Sequence, residues 1–156
     1  MRIHLIAVGT RMPAWVTEAY QEYAKRLPRE CSLQLVEIPL SKRRKSQTPA
    51  RAADDEGQQI LAALPRDCTV VAMDVLGKGW STEALTVRLQ DWLGSGRDVA
   101  LLVGGPDGLS ADCLARADLK WSLSALTYPH PLVRVILAEQ LYRAWTINAG
   151  HPYHRS

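Results

Sequence analysis

Cysteines and long apolar runs are scarce in this sequence. The three cysteines lie far apart and form no CxxC pair: Cys31, Cys68 and Cys113. Each is in or beside an apolar stretch, so we expect buried free thiols in a reducing compartment. No segment approaches the roughly 20 apolar residues that cross a bilayer. The N-terminal MRIHLIAVGT predicts a strand rather than a signal peptide, and we therefore expect a soluble, cytoplasmic protein without a membrane contact.

Common signatures of nucleotide and metal binding are missing as well. Gly9-Thr10-Arg11-Met12 occupies the place where a dinucleotide-binding GxGxxG would follow the first strand. Gly77-Lys78-Gly79 is not a phosphate-binding P-loop, because it lacks the leading glycine and the following Ser or Thr. His151 and His154 have a spacing that occurs in metal sites, but no cluster of Cys, Asp or Glu accompanies them. We therefore predict no dinucleotide, P-loop or metal site.

The composition is that of an ordinary globular protein with little net charge. Hydrophobic residues make up 47% and charged residues 22% of the 156 residues, which suits one domain spanning residues 1–156. The formal net charge is only +3, from 19 basic and 16 acidic side chains. This excess is too small to indicate a nucleic-acid partner by itself, but its placement is informative. Four basic residues lie in one polar loop, and we expect them to contact the RNA backbone, although a loop that is merely solvated is the alternative: Lys42, Arg43, Arg44 and Lys45.

Apolar periodicity alternates between strands and helices along the whole chain. It predicts strands at 2–8, 31–38, 68–75, 98–103 and 119–124. It predicts helices at 14–27, about 49–64, about 82–93, 110–117 and 131–148. This order predicts an α/β fold, a mostly parallel sheet of about five strands with helices on both faces. General rules of chain topology also predict an unknotted chain.

Two loops follow strands at their carboxyl ends, which is the edge where open α/β sheets bind ligands. The first is Gly104-Gly105-Pro106-Asp107-Gly108, whose glycines either let a ligand approach the backbone or simply form a tight turn. The second runs from Ser124 to Pro131, and its small neutral side chains leave backbone groups free to bind an adenine or a ribose. It could also serve only to start the last helix. The two loops together indicate a binding site more strongly than either one alone.

The last predicted helix and the tail after it contain the remaining candidates. The helix is apolar on most sides, so a partner subunit or complete burial within one chain must cover it. Arg134 interrupts an apolar run, and a charge there needs a partner or a role. The tail combines aromatic, imidazole and guanidinium groups in His151, Tyr153, His154 and Arg155, which suits an RNA nucleotide, although terminal residues are often frayed and functionless.

Four segments resemble one family of enzymes. The strings AVGTRMPAWV (7–16), LLVGGPDGLS (101–110), WSLSALTYPHPLVRVILAEQLYRAWTI (121–147) and HPYHR (151–155) are similar to the RlmH-type ribosomal RNA methyltransferases of the SPOUT superfamily. The resemblance covers essentially the whole chain. It implies an α/β knot, in which the C-terminal segment threads through a loop and so overrides the general expectation of an unknotted chain. It also implies a homodimer.

The activity implied by the resemblance is methylation of N3 of a pseudouridine in a stem-loop of 23S rRNA on the assembled ribosome, with S-adenosyl-L-methionine as cofactor. The implied cofactor contacts are Met73, Gly104, Leu123, Ser124, Ala125, Leu126, Thr127 and Tyr128. Because the imide N3–H is a weak acid, a base or an anion-stabilising cation is needed near the methyl group. The candidates for catalysis are His130, Arg134, Arg143, Tyr153, His154 and Arg155. Tyr153 is expected to stack on the target base or to position it, and Arg143 and Arg155 are expected to hold phosphate or the developing anion.

Two other functions remain open at this point. A ribosome- or RNA-binding protein that keeps the fold without the reaction would need the same basic loop and tail. A small α/β enzyme that acts on a phosphorylated metabolite would use the glycine loop to hold the phosphate. Affinity for S-adenosylmethionine separates the methyltransferase from the first, and affinity for RNA separates it from the second.

Overall fold

Strands and helices alternate along the chain in the order that the sequence predicts. The computed structural model describes residues 1–42 and 48–155. Within these residues the strands are β1 (Arg2–Val8), β2 (Ser32–Ile38), β3 (Thr69–Gly79), β4 (Val99–Val103) and β5 (Leu119–Ser122). The helices are α1 (Ala14–Ala24), α2 (Pro49–Ala62), α3 (Thr82–Ser95), α4 (Ala111–Arg116) and α5 (His130–Ala149). Short 3₁₀ turns cover Arg29–Cys31 and Pro152–Arg155.

The five strands form one sheet in the order β2-β1-β4-β3-β5. Each neighbouring pair is parallel, which confirms the predicted parallel sheet. All carboxyl ends therefore meet at one edge. Gly9 follows β1 at this edge, Gly104 follows β4, and the loop that starts at Leu123 follows β5.

Helices cover both faces of the sheet, as predicted. Ile3 and Leu5 of β1 contribute to a core that includes residues of α1, α3 and α5. Ile6 and Val8 belong to the core on the opposite face, with residues of α2 and α4. Every residue of β4 is buried, as expected for a strand in the middle of a covered sheet.

Capping side chains fix the starts of three helices. Thr48 Oγ1 accepts a hydrogen bond from the Arg51 amide at 3.2 Å, and Pro49 follows it as the first helical residue, as the sequence predicts. Ser81 and Ser110 cap α3 and α4 in the same way, with N–H to Oγ distances of 3.0 and 3.2 Å. These caps determine where the chain turns back from the sheet edge into each helix.

Several element ends differ from the prediction. Helix α1 ends at Ala24, and Arg26 and Leu27 continue as a tighter turn before Pro28 because a residue before proline avoids helical geometry. Strand β3 extends to Gly79, since Met73 and Lys78 both pair with Trp121 across an irregularity in the strand. Strand β5 ends earlier, at Ser122, and α5 begins at His130, one residue before the predicted start.

The three cysteines are buried free thiols, as predicted. Burial raises the pKa of Cys31 to about 11 and also raises the pKa of Cys68 and Cys113. These thiols are therefore protonated near neutral pH and suited to packing rather than to nucleophilic chemistry.

Candidate active site

A cavity of about 420 Å³ opens at the carboxyl ends of β4 and β5, beside the middle of β3. Both loops that the sequence singled out line this cavity, together with residues 73–75 in the middle of β3 and the first turn of α5. Its size lies within the range of small-molecule sites, and its position matches the ligand-binding edge of α/β sheets. The predicted meeting of the two loops is therefore confirmed.

Most residues expected to contact a cofactor face this space. The lining includes Met73, Gly104, Leu123, Ser124, Leu126, Thr127 and Tyr128. Ala125 belongs to the same loop and is exposed, but it does not line the cavity. The arrangement of the seven lining residues is compatible with a common ligand, while the role of each residue in binding stays a prediction.

The glycine loop is a tight turn as well as a cavity wall. Gly108 N donates to Gly105 O at 3.0 Å, and Gly108 adopts a φ of +77°, which favours glycine. A Cβ on Gly104 would lie 2.6 Å from the Gly108 carbonyl carbon. The glycine loop therefore forms a tight turn, which needs Gly104, and its backbone also lines the cavity.

The walls of the cavity are largely apolar and contain one buried polar group without a partner. Trp121 is only 2% exposed, and its ring stacks on Trp80 with 4.6 Å between the centroids. Among the described residues, no group hydrogen-bonds to the Trp121 Nε1–H. A buried donor without a partner is costly, so this indole suits a site where a ligand supplies the acceptor. The sequence marked Trp121 only as a strand residue.

The charged groups of the cavity wall are few. Among the described lining residues there is no lysine or arginine, whereas Asp74 and His130 are present. Asp74 Oδ1 accepts a hydrogen bond from the Leu76 amide at 3.1 Å. The cavity is therefore better suited to a neutral or cationic ligand than to a phosphate.

His130 and Arg134 lie one helical turn apart at the start of α5, beside the end of β1. Arg134 is 1% exposed, and its Nη1 lies 2.7 Å from Glu37 Oε2 while its Nη2 lies 2.7 Å from the Gly9 carbonyl oxygen. A Cβ on Gly9 would lie 3.4 Å from His130 Nε2 and 2.8 Å from Met12 Cε, and its φ of +115° also favours glycine. Burial, followed by the Arg134 charge, lowers the pKa of His130. Arg134 thus has partners, as its position in the sequence suggested, and Glu37 was not recognised as one of them.

The other catalytic candidates form a second group near the far end of α5. Arg143 Nη2 lies 2.7 Å from Glu139 Oε1, and Tyr153 Oη donates to the same oxygen at 3.1 Å. The Arg143 guanidinium lies over the Tyr153 ring, 5.1 Å from its centroid. His154 and Arg155 belong to the same 3₁₀ turn as Tyr153. The tail is therefore folded against α5, and the Glu139 carboxylate holds it there.

Within one chain these two groups are separate. None of Arg143, Tyr153, His154 and Arg155 lines the cavity. Arg143 lies beyond His130 on α5 by about 20 Å, at 1.5 Å per residue along a helix. Burial and the Glu139 carboxylate raise the pKa of Tyr153 to about 12, so this phenol is protonated near neutral pH and suits stacking or positioning rather than proton abstraction.

Comparison with known proteins identifies the family. The family model described as "Predicted SPOUT methyltransferase" matches residues 1–154. The chain belongs to the SPOUT methyltransferase family. It is 66% identical over 155 residues to "Ribosomal RNA large subunit methyltransferase H" of Thioalkalivibrio sulfidiphilus, covering 99% of both chains. It is 63% identical over 156 residues to the protein of the same name from Alkalilimnicola ehrlichii, covering 100% of both, and 60% identical over 155 residues to that of Saccharophagus degradans, covering 99% of this chain and 100% of the other.

The sequence analysis of this SPOUT methyltransferase also made predictions about a membrane span, a metal site and the basic loop. In residues 1–42 and 48–155, no helix combines the length and apolar character needed to span a membrane. In the same residues, no three His, Cys, Asp or Glu side chains are grouped as they would be around a metal ion. Lys42 of the basic loop is exposed, while Arg43, Arg44 and Lys45 lie outside the described residues. The expected RNA contact of this loop stays a prediction.

Proposed function

We propose that this protein transfers a methyl group from S-adenosyl-L-methionine to large-subunit ribosomal RNA, at N3 of a pseudouridine in a stem-loop of 23S rRNA on the assembled ribosome. The family assignment supports methyl transfer, and the names of the relatives point to the RNA of the large subunit. The observation that carries the proposal is the single cavity lined by both the glycine loop and the loop from Leu123 to Pro129.

The described residues fit the cofactor by size and by charge. The cavity volume of about 420 Å³ suits an adenosyl ligand. The site combines one carboxylate, Asp74, with apolar walls and no described lysine or arginine, which suits a sulfonium cation and disfavours a phosphorylated metabolite. The Trp121 indole offers a buried donor to a polar group of the ligand. The residues proposed to hold the cofactor are Met73, Gly104, Leu123, Ser124, Ala125, Leu126, Thr127 and Tyr128.

The chemistry then depends on orientation and on one proton. The bound cofactor supplies a methyl group on a positively charged sulfur, so no metal is needed to activate it. The protein holds the target nitrogen in line with that methyl group and excludes water from the cavity. The N3–H must also lose its proton, for which His130 is the candidate inside the cavity.

We propose that the protein acts as a homodimer in the cytoplasm. Several apolar side chains of α5 remain partly exposed in one chain, Leu132, Val135 and Ile136 among them. The tail group of Arg143, Tyr153, His154 and Arg155 lies away from its own cavity. A second copy that covers α5 would account for the first feature and could bring its tail to the cavity. Sedimentation equilibrium tests this, with a monomer at micromolar concentration as the contradicting result.

Transfer of a labelled methyl group tests the proposed activity. Ribosomes from a strain that lacks this gene would be incubated with the protein and S-adenosylmethionine carrying a labelled methyl group. We expect label in the large-subunit RNA and none in the small-subunit RNA. Calorimetry with the cofactor alone distinguishes the methyltransferase from a catalytically silent RNA-binding protein with the same fold, because the silent protein has no need to bind the cofactor.

A further inference from the structure

Among the described residues that line the cavity, His130 alone carries an imidazole. His130 is the first residue of α5 and lines the cavity. Its Nε2 faces Gly9, where a side chain would come within 3.4 Å of it. The buried Arg134 lies one turn further along the same helix.

We propose that His130 accepts the proton that the target base nitrogen must lose, and that Arg134 is the positioning residue that holds this imidazole in the cavity. The inference rests on the proposed function and assigns a role within it.

His130 is the lining group with suitable acid–base chemistry. The serine and threonine hydroxyls of the wall are too weakly basic to keep a proton near neutral pH. Imidazole is the side-chain base whose ordinary range of protonation lies nearest to neutral pH. Proton transfer is most efficient when the pKa of the base lies near the working pH, which a neutral histidine satisfies. Among the described lining residues, only His130 meets this condition.

Arg134 connects the start of α5 to two strands. Its Nη1 binds Glu37 at the end of β2, and its Nη2 binds the Gly9 carbonyl just after β1, both at 2.7 Å. A guanidinium with two anchors on different strands fixes the rotation and the height of the helical turn that carries His130. Because both terminal nitrogens of the buried guanidinium bind groups of the fold, Arg134 acts through His130 rather than on the RNA.

The charges around His130 favour its neutral form. Arg134 faces it from its own helix, and the positive end of the α5 dipole lies at the same place. Glu56 of α2 acts in the opposite direction, and Asp74 lies in the wall of the same cavity. Glu37 of β2 partly balances Arg134. Burial and the Arg134 charge together lower the pKa of His130, so the imidazole is ready to accept a proton near pH 7.

The proposed step moves one proton and one methyl group. The N3–H bond breaks, its proton goes to the unprotonated ring nitrogen of His130, and the electron pair stays on N3. That pair forms the new bond to the methyl carbon, while the pair of the carbon–sulfur bond remains on sulfur. The imidazolium then releases its proton to water, and no oxidant, reductant or metal takes part.

Titration of the imidazoles by NMR tests the electrostatic part without any turnover. The sequence has four histidines, so the spectrum of protein labelled at histidine contains four ring signals, and loss of one in His130→Gln assigns it. We expect the His130 signal to titrate below the ordinary value of about 6.5. Arg134→Met should move its midpoint up, and Glu37→Gln should move it further down. A His130 midpoint at or above the ordinary value in the wild type overturns the inference, whatever the transfer assay gives.

Single-turnover methyl transfer to ribosomes at different pH values tests the catalytic part. The wild-type rate should rise with pH through one acid limb and then level off. His130→Gln should lower the rate about 100-fold or more, lose that limb and change cofactor affinity less than about fivefold. Added imidazole should restore part of the rate to His130→Ala. Arg134→Met should shift the limb to higher pH, and Arg134→Lys, which keeps the charge but loses one of the two anchors, should lower the rate without that shift.

Controls separate this inference from the proposed function. His4→Gln alters a histidine that pairs with Asp98 at the opposite edge of the sheet, and it should keep the wild-type acid limb. Glu37→Gln and Arg134→Lys serve if Arg134→Met does not fold. No transfer by the wild type contradicts the proposed function and the inference together. Wild-type turnover that persists in His130→Gln contradicts the inference alone, and a loss confined to His154→Ala would assign the proton to the tail instead.

Discussion

Arg134 Nη1 lies 2.7 Å from Glu37 Oε2 and so joins the first turns of α5 to the end of β2. The arginine side chain is 2% exposed and the glutamate side chain 37% exposed, so the pair is buried on one side and solvated on the other. Because Arg134 also donates to the Gly9 carbonyl, the helix that closes the cavity is connected to both strands on that side of the sheet.

We predict that Arg134→Met destabilises the protein by about 3 kcal/mol, as breaking a buried pair by removing one partner does. The Gly9 carbonyl would lose its donor, and Glu37 would lose its counter-charge. Glu37→Gln should cost less than about 1 kcal/mol, because the amide still accepts a hydrogen bond and this end of the pair is partly exposed. Urea denaturation with an unchanged m-value measures both. Equal losses in the two variants would contradict this description of the pair.

Gly104→Ala should weaken cofactor binding tenfold or more in calorimetry. The added Cβ would lie 2.6 Å from the Gly108 carbonyl carbon, so the glycine loop must open and the cavity wall must move. Gly94→Ala is the matched control, since a Cβ there meets nothing within 4 Å and the position lies in α3. It should leave binding unchanged and stabilise the helix by up to about 1 kcal/mol. Equal affinity in both variants would exclude the glycine loop from the cofactor site.

Tyr153→Ala should weaken binding of the ribosomal substrate by about 1–3 kcal/mol, the range for loss of one base–aromatic stack. Tyr153→Phe keeps the ring beneath the Arg143 guanidinium and removes the hydroxyl that hydrogen-bonds to Glu139. The phenylalanine variant should therefore retain most of the binding, with a stability loss of about 1 kcal/mol. Transfer assays at varied ribosome concentration distinguish the two. If Phe and Ala are equally impaired, the ring is not a stacking surface.

Asp98 should make the free energy of unfolding depend on pH in the acidic range. The hydrogen bond from His4, and then the one from the Arg2 amide, lower the pKa of this carboxyl group in the folded protein. Its contribution is therefore present above the unfolded pKa of about 3.9 and is lost as the pH falls through the folded pKa. Asp98→Asn should lower the free energy of unfolding at pH 7 by less than about 1 kcal/mol, because the group is partly exposed. Thermal unfolding measured across the acidic range should show that the free energy of unfolding of this variant falls less steeply with falling pH than that of the wild type. An unchanged slope would refute the assignment.

The fold and the position of the cavity follow from local patterns in the sequence. Alternation and helical spacing predict the elements, and the parallel order places Gly104 and Ser124 at one edge of the sheet. The knot implied by the family resemblance stays a prediction. Element ends were less predictable, since the extension of β3 to Gly79 depends on a second pairing with Trp121 that no local pattern indicates.

The side-chain network beneath the cavity could not be predicted from the sequence. The sequence shows Arg134 as a charge within an apolar run. Its partner Glu37 lies 97 residues away on β2, and nothing in the pattern of that strand indicates the pair. The orphaned indole of Trp121 likewise depends on how the strand faces the cavity. Sequence spacing suggests the Glu139–Arg143 pair, whereas the return of Tyr153 to the same carboxylate depends on the path of the tail.

Localisation of the transferred methyl group tests the central claim most directly. Ribosomes methylated with the labelled cofactor would be digested, and mass spectrometry of the 23S rRNA fragments would identify the modified nucleotide and atom. We expect a single labelled site, at N3 of one pseudouridine in a stem-loop, and no label with Gly104→Ala. Label on another atom, on small-subunit RNA, or on no RNA at all would contradict the account.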